Sequence, residues 1–220
     1  MTGASRGIGR ATAVALADAG FDVAVAARTR LEGEGRNESG SGSLPGSVAT
    51  TCAMVEEHGR RALPLYLDLL DGASVSAAAD AVTTAWGGVD VLVNNAVHTG
   101  EGSMTLLQDI TPALMRTKFE ANVVSQLALT QALLPGMVAQ GGGVVVNMSS
   151  AVALTDPPAP AGKGGWGFAY AMSKGAFHRL AGFLAVEHEE IQGVARKYLH
   201  PGNRAIVFRT PVAKDAKEAA

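Results

Sequence analysis

The first nine residues constrain this chain most, because they are typical of a glycine-rich phosphate loop that runs into a helix. The segment is Met1-Thr2-Gly3-Ala4-Ser5-Arg6-Gly7-Ile8-Gly9. Glycine lets a backbone turn sharply and bring its N–H groups close to a phosphate, which the start of a helix also attracts. A flexible glycine-rich N-terminus is the alternative interpretation. Such a loop normally follows a strand, so the sequence predicts a nucleotide-binding fold that lacks its first strand.

The segment after the loop indicates which nucleotide is bound. Apolar residues at helical spacing end at Gly20, and the short apolar run 22–27 then predicts a buried strand. In a dinucleotide-binding fold an acid after this strand binds the ribose 2′-hydroxyl, whereas an arginine accommodates a 2′-phosphate. Arg28 stands there without an acid, and Arg6 is a second cation in the loop. The sequence predicts NADP(H) rather than NAD(H), although solvated surface arginines remain the alternative.

Length and composition exclude several other classes of protein. At 220 residues and a net charge of −2, one domain is the simplest organisation, and nothing favours binding to nucleic acid or an anionic membrane. No stretch has transmembrane length, and the lone Cys52 fits a reducing cytoplasm. The five histidines lack metal-ligand spacing, so we expect no metal site.

Strand and helix patterns alternate along the chain, which predicts an α/β fold with a parallel sheet and helices on both faces. A polar stretch at 31–47 is predicted to be a flexible insertion. The predicted strands are 22–27, 62–67, 89–93, 144–148 and 194–200, and the predicted helices are 8–19, 48–57, 74–86, 112–134 and 170–188.

Four side chains form the candidate catalytic group. Tyr170 and Lys174 are four residues apart and share a helix face, where the ammonium is expected to lower the pKa of the tyrosine. Ser150 follows a predicted strand, at the edge where ligands of open α/β sheets bind, and is placed to orient a carbonyl. Asn122 lies on the preceding long helix and is placed to hold a water that connects Lys174 to solvent. For the Tyr170 and Lys174 pair alone, a solvated helix face is the alternative.

The joint order of these motifs resembles the short-chain dehydrogenase/reductase family to about residue 202. The resemblance implies a Rossmann-type, doubly wound, three-layer fold and hydride transfer between NADP(H) and an alcohol or carbonyl. It implies Tyr170 as acid/base and Lys174 as the ligand of the nicotinamide ribose. It also implies homodimers or homotetramers that pack through helices 112–134 and 170–188. The implied cofactor-binding residues are Gly3, Ser5, Arg6, Gly7, Ile8, Gly9, Arg28, Asp68, Leu69, Asn95, Ala96, Tyr170, Lys174, Pro201 and Gly202, while Asn94 is expected to tie the strands together.

The chain departs from the family pattern at several places. Val97 stands where the family usually has glycine, and Arg196 and Lys197 fall where a buried strand expects apolar or small residues. The tail 203–220 does not continue the family pattern. These departures support a second hypothesis, in which a truncated or inactive chain acts only as a binding or association module.

The loop 151–169 is unusually long and is expected to form a wall of the substrate site. Trp166 and Phe168 give it an apolar character, which points to a lipid-like or aliphatic carbonyl. Core packing is the alternative role of these aromatic side chains. The sequence does not identify the substrate.

Overall fold

The computed structural model describes residues 1–36, 42–188 and 191–196. Helices and strands alternate along the chain, with short 3-10 turns at Leu107–Asp109 and Ala151–Ala153. The elements in chain order are α1 (Gly7–Asp18), β1 (Val23–Ala27), α2 (Val48–Glu57), β2 (Ala62–Tyr66), α3 (Gly72–Trp86), β3 (Val91–Asn94), α4 (Pro112–Phe119), a π-helical turn (Glu120–Val124), α5 (Ser125–Ala139), β4 (Gly143–Met148), α6 (Phe168–Glu187) and β5 (Ile191–Arg196).

The five strands of the described residues pair in parallel, in two groups. β1 pairs with β2, and β4 pairs with both β3 and β5. Thr2 links the groups, because its backbone forms a parallel bridge to Ala26 of β1 and its N–H donates to Val93 O of β3 at 3.0 Å. The ladder therefore passes from β1 to β3 through the first residues of the chain.

A cleft lies between the beginnings of β1 and β3, and Met1 is one of its lining residues. It has a volume of about 300 Å³, and its lining includes Val23, Ala24, Val89 and Val91. The Met1 amine donates to Ala24 O at 2.9 Å and closes one end of the cleft. Met1 and Thr2 connect β1 to β3 at the end next to the glycine loop.

Local signals set several helix boundaries as predicted. Ser47 caps α2 by accepting a hydrogen bond from the Thr50 N–H at 3.0 Å, and Asp71 caps α3 by accepting from Ala73 N and Ser74 N. Gly20 has a φ of 95°, the left-handed conformation expected after α1. These caps confirm both predicted starts to within two residues, because each depends on neighbours in the chain.

The prediction of one regular helix over 112–134 is wrong in two respects. A π-helical turn at Glu120–Val124 interrupts it, and α5 continues past Pro135 to Ala139. Proline lacks the N–H of a helix interior and normally favours an earlier end. Leu133 and Met137 are buried on either side of it, so packing of this turn against the core outweighs the lost hydrogen bond.

The last strand also differs from the prediction of 194–200. β5 begins at Ile191, opposite Gly143, and pairs with β4 as far as Arg196 opposite Met148. Pairing along the whole of β4 sets this earlier start. Residues 197–200 and the tail 203–220 lie outside the described residues.

Two apolar clusters hold the helices on the sheet. One lies mainly between α3, α5 and the strands, and the other joins α1 and α2 to β1. The described residues contain no helix with both the length and the apolar character needed to cross a membrane. The parallel strands and covering helices form the predicted Rossmann-type α/β fold.

Candidate active site

The glycines of the first loop are needed for close backbone packing. A Cβ atom on Gly3 would lie 2.8 Å from Ala96 Cα, and one on Gly9 would collide with the Gly3 carbonyl oxygen. Gly7 has open space around it but a φ of 54°, which disfavours other residues. The loop and the start of α1 therefore lie directly against the residues that follow β3.

Thr2 anchors this loop, a role that sequence reasoning did not assign to it. Its hydroxyl donates to Val93 O at 3.1 Å and accepts from Asn95 N and Ala96 N, both at 3.0 Å. The Asn95 side chain completes the link by donating to Thr2 O at 3.0 Å. The threonine at the start of the glycine motif was a visible signal, but its partners lie more than 90 residues away in the chain.

A cleft of about 510 Å³ opens at the carboxyl ends of the strands beside this loop. Ten of the predicted cofactor-binding residues line it: Gly3, Ser5, Arg6, Ile8, Gly9, Arg28, Asp68, Leu69, Asn95 and Ala96. Gly7 is not among the lining residues. Pro201 and Gly202 lie outside the described residues.

The two predicted phosphate-binding arginines differ in their surroundings. Arg6 donates to Thr29 Oγ1 at 2.8 Å and to Gly46 O at 3.0 Å. Burial lowers the pKa of its guanidinium, and the nearby Glu32 carboxylate partly offsets this. Arg28 is exposed at the mouth of the cleft. Arg6 is therefore already positioned by the protein, whereas the side chain of Arg28 faces solvent.

The insertion predicted over 31–47 contributes to the cleft through its described residues. Arg36 forms a bridge with Ser43 and lines the cleft, as Leu44 does. Glu32 accepts from Gly46 N at 2.6 Å and from Thr50 Oγ1 at 2.9 Å, which fastens the insertion to α2. Arg36 is thus a third cation at the cleft, and no local pattern marked it because it lies in a polar, glycine-rich stretch.

Tyr170 and Ser150 come together at the amino end of α6. Tyr170 is buried, with 8% of its surface exposed, and its ring stacks on Trp166 at a centroid distance of 4.7 Å. Burial raises the pKa of the Tyr170 hydroxyl, and a hydrogen bond with the Ser150 side chain opposes this rise. The strand β4 and the helix α6 therefore place a serine hydroxyl beside a phenol.

The predicted lowering of the Tyr170 pKa by Lys174 is not observed. Lys174 lies one turn further along α6, but its Nζ donates to Met148 O at 2.7 Å. Burial lowers the pKa of Lys174 from 10.5 to about 8. The ammonium of Lys174 points to the end of β4. Desolvation therefore has the largest effect on the pKa of Tyr170 in this structure.

Asn122 is completely buried in the π-helical turn between α4 and α5. Its Oδ1 accepts from His98 N at 2.8 Å and its Nδ2 donates to Ser173 Oγ at 3.1 Å. The side chain predicted to hold a water instead joins the loop after β3 to α6. A π turn lets one residue project out of a regular helix, and such turns are frequent at functional sites.

Asn94 has the structural role that was expected. Its Nδ2 donates to Asn147 Oδ1 at 3.0 Å and to Thr130 Oγ1 at 3.1 Å, which ties β3 to β4 and α5. Within the described part of the chain, no group of three His, Cys, Asp or Glu side chains has the geometry to hold a metal ion.

Comparison with known proteins identifies the family of this chain. The family model described as "short chain dehydrogenase" matches residues 1–219. The chain is 35% identical over 218 residues to a short chain dehydrogenase of Monascus purpureus, covering 99% of this chain and 68% of that protein. It is 31% identical to a putative ketoacyl reductase of monensin polyketide synthase from Streptomyces virginiae, covering 99% of this chain and 73% of that protein.

Solved structures agree with this assignment. Carveol dehydrogenase from Mycobacterium avium, in complex with NAD, has a TM-score of 0.74 and 25% identity, covering 89% of this chain and 67% of that one. L-sorbose reductase from Gluconobacter frateurii, complexed with NADPH and L-sorbose, has a TM-score of 0.71 and 26% identity, covering 89% and 66%. The chain therefore belongs to the short-chain dehydrogenase family and is an oxidoreductase of the alcohol and carbonyl type.

Proposed function

We propose that this chain interconverts an alcohol and a carbonyl with NADP(H), and that Tyr170 is the acid/base. The observation that carries the proposal is that the Ser150 side chain, just after β4, lies close enough to the buried Tyr170 hydroxyl to lower its pKa against the rise caused by burial. Lys174 lies one helical turn away from Tyr170. A phenol and a neighbouring hydroxyl suit a carbonyl oxygen, which accepts one hydrogen bond from each.

The proposed chemistry needs one proton carrier from the protein. When bound, the dinucleotide supplies or accepts the hydride at the substrate carbon. During reduction the Tyr170 hydroxyl gives its proton to the substrate oxygen, and during oxidation the tyrosinate takes it back. Ser150 orients the oxygen by donating a hydrogen bond.

Lys174 and Asn122 support this step in the proposal. Lys174 is 3% exposed, so its ammonium acts in a medium where charge is poorly screened. In the ligand-bound enzyme we expect it to bind the nicotinamide ribose and to stabilise the tyrosinate, lowering the Tyr170 pKa. Asn122 holds α6 through Ser173, which keeps Tyr170 and Lys174 aligned.

The preference for NADP(H) over NAD(H) rests on charge. Arg6, Arg28 and Arg36 all line the cleft, and Arg28 follows β1, where an acid would bind a free 2′-hydroxyl. Guanidinium groups bind phosphate oxygens through paired N–H donors. We therefore expect NADPH to bind more tightly than NADH.

An apolar substrate fits the surroundings of Tyr170. Trp166 stacks on the tyrosine ring and keeps 39% of its own surface exposed, while Phe168 and Leu154 are 51% and 49% exposed. These side chains belong to the long loop that follows Ser150 or to the start of α6. We propose a substrate with an aliphatic or ring-shaped apolar body next to its carbonyl group.

The test measures carbonyl-dependent consumption of NADPH by the full chain across a panel of apolar ketones, with Tyr170→Phe as the variant. Tyr66→Phe is the matched control, because Tyr66 lies on β2 with 44% of its surface exposed. The proposal requires activity that Tyr170→Phe abolishes and Tyr66→Phe retains. A folded protein that binds no NADPH would disprove it.

We also propose that two copies associate through the long helices predicted over 112–134 and 170–188. Phe183 and Val186 on α6 are 57% and 80% exposed, and Phe119 and Val124 are 36% and 40% exposed. Apolar side chains on neighbouring helices are typical of subunit contacts. Light scattering after size exclusion should give a dimer or tetramer that Phe183→Glu dissociates, whereas a monomeric wild type would contradict this.

The proposed location is the cytoplasm. Cys52 is buried, and burial raises the pKa of its thiol to about 11, so it resists oxidation and suits a reduced state. Detection of the chain in a fractionated cell extract tests this, and recovery only from a secreted fraction would contradict it.

A further inference from the structure

Lys118 on α4 is an unusual residue to find in the interior. It is 0% exposed and is the largest of the fully buried side chains among the described residues. Burying an ammonium is costly unless several acceptors surround it. Its contacts therefore show which part of the molecule depends on this charge.

Three hydrogen-bond acceptors of Lys118 belong to the short loop after β3. Nζ donates to His98 O at 2.9 Å, to Gly100 O at 2.7 Å and to Ser103 Oγ at 2.6 Å. Lys118 thus gathers two carbonyl groups and one hydroxyl from six consecutive residues. The ammonium therefore connects the two ends of this loop, at His98 and Ser103.

The ammonium of Lys118 also lies next to the ring of His98. Its Nζ is 3.2 Å from His98 Nδ1. The ring and the carbonyl of His98 therefore both contact Lys118.

A second side chain of the same helical segment holds His98. Asn122 lies four residues after Lys118, and its Oδ1 accepts from His98 N at 2.8 Å. Lys118 therefore holds the carbonyl and ring of His98, while Asn122 holds its N–H. Both ends of this residue are fixed from the helices that carry the catalytic group.

Two glycines let the loop adopt this arrangement. A Cβ on Gly100 would lie 2.9 Å from His98 Cε1 and 3.1 Å from His98 Nε2, so the imidazole lies against the Gly100 α-carbon. Gly102 has a φ of 93°, and a Cβ there would lie 3.1 Å from Lys118 Cε. His98 and Gly100 both line the 510 Å³ cleft, next to Asn95 and Ala96.

We propose that His98 is a further cofactor-contacting residue and that Lys118 is the positioning residue that holds it in the wall of the cleft. The proposal rests on the proposed function, because it takes the ligand of the cleft to be a nicotinamide dinucleotide. Lys118 acts on the cofactor only through the loop and the His98 ring.

Fluorescence titration with NADPH of His98→Phe, Lys118→Met and the double variant tests this coupling. Each single change should raise the Kd for NADPH about three- to tenfold, the loss expected for one or two polar contacts. The double variant should lose no more than the weaker-binding single variant, since both changes remove the same contribution. His58→Phe is the control, because His58 ends α2 and faces Asp18 at 3.6 Å, and it should bind NADPH normally.

A second variant serves if Lys118→Met does not fold. Gly100→Ala leaves both polar residues in place but displaces the imidazole, and it should weaken NADPH binding to the same degree as His98→Phe. NMR of the labelled histidines should show the ring signals of His98 shifted in both Gly100→Ala and Lys118→Met relative to the wild type, because each change alters the contacts of the imidazole.

Three results would overturn the proposal: additive losses in the double variant, unchanged NADPH binding in His98→Phe, or ring signals of His98 that stay unchanged in Lys118→Met. A wild type that binds no NADPH refutes the proposed function instead. The NMR measurement still tests the Lys118 and His98 arrangement in that case, so the two failures are distinguishable.

Discussion

Two regions of the molecule differ in how far their cationic side chains are exposed. We call the surroundings of β1 and β2 the β1–β2 half and the surroundings of β3 and β4 the β3–β4 half. Around β1 and β2, Arg28 and Arg36 are exposed at the cleft. Around β3 and β4, Lys118 and Lys174 are 0% and 3% exposed. Exposed charges are screened and individually weak, whereas buried ones depend on every partner. We therefore propose that cofactor selectivity depends on the exposed arginines around β1 and β2, which tolerate change, and that catalysis depends on the buried Lys174, which does not.

Replacing Lys174, a buried cation of the β3–β4 half, should have the largest effect on activity. Lys174→Met removes the ammonium expected to stabilise the tyrosinate, so kcat should fall about 100-fold or more. The pH of half-maximal kcat in the oxidation direction should also move upwards, because the tyrosine then loses its proton less readily. Steady-state kinetics against pH checks both.

Lys163→Met is the matched control for that change, since Lys163 is exposed in the loop that precedes α6. Its kinetics should equal those of the wild type. A Lys174→Met variant with normal kcat would show that the buried lysine of the β3–β4 half is not needed for catalysis.

The next largest effect is expected for Thr2, which connects the two halves. Thr2→Val keeps the shape of the side chain but leaves the N–H groups of Asn95 and Ala96 without their hydroxyl acceptor. The free energy of unfolding should fall by about 1–3 kcal/mol, the cost of an unsatisfied buried polar group. Urea denaturation measures this, with Thr84→Val on the exposed side of α3 as control. Equal stabilities of the two variants would refute the anchoring role.

Substitutions in the β1–β2 half should have a smaller effect on NADPH binding, and this effect should depend on the salt concentration. Arg28→Ala should weaken NADPH binding about tenfold with little change for NADH, since only NADPH carries the 2′-phosphate. The difference should shrink as ionic strength rises. Arg30→Ala is the control, because Arg30 lies over the Tyr66 ring at 5.9 Å. An equal loss for NADH would contradict the selectivity.

The burial of Lys174 also predicts a change of stability with pH. The folded pKa of Lys174 is about 8, compared with 10.5 for an ordinary lysine. Between these values the unfolded chain binds more protons than the folded one, so the free energy of unfolding contributed by this group rises with pH. Below pH 8 the penalty for burying the ammonium is present in full.

Comparing urea unfolding of the wild type and Lys174→Met at pH 8 and pH 10 isolates this contribution. The wild type should gain stability relative to the variant over this interval. The raised pKa of Tyr170 opposes the trend only above its ordinary value of 10.0, which sets the upper limit of the window. Parallel pH profiles would show that Lys174 is not desolvated.

The sequence predicted the features that depend on near neighbours in the chain. Ser47 and Asp71 start helices because a side chain caps an N–H two or three residues away. Gly20 ends a helix because of its own backbone freedom. The predicted helix end at residue 134 was wrong, because packing around Leu133 and Met137 lets α5 continue through Pro135 to Ala139.

The sequence by itself determined the fold class, through the glycine loop and the alternation of strands and helices. The joint order of its motifs, and the family that this order resembles, identified the candidate catalytic residues, whereas the four-residue step from Tyr170 to Lys174 predicts only a shared helix face. Only the tertiary structure decided which polar groups are buried and what they bind. Thr2 meets Asn95, and Lys118 meets His98, across distances in the chain that no periodicity encodes. Burial then sets the pKa of Tyr170 and Lys174, since desolvation depends on the atoms packed around a group and not on its neighbours in sequence.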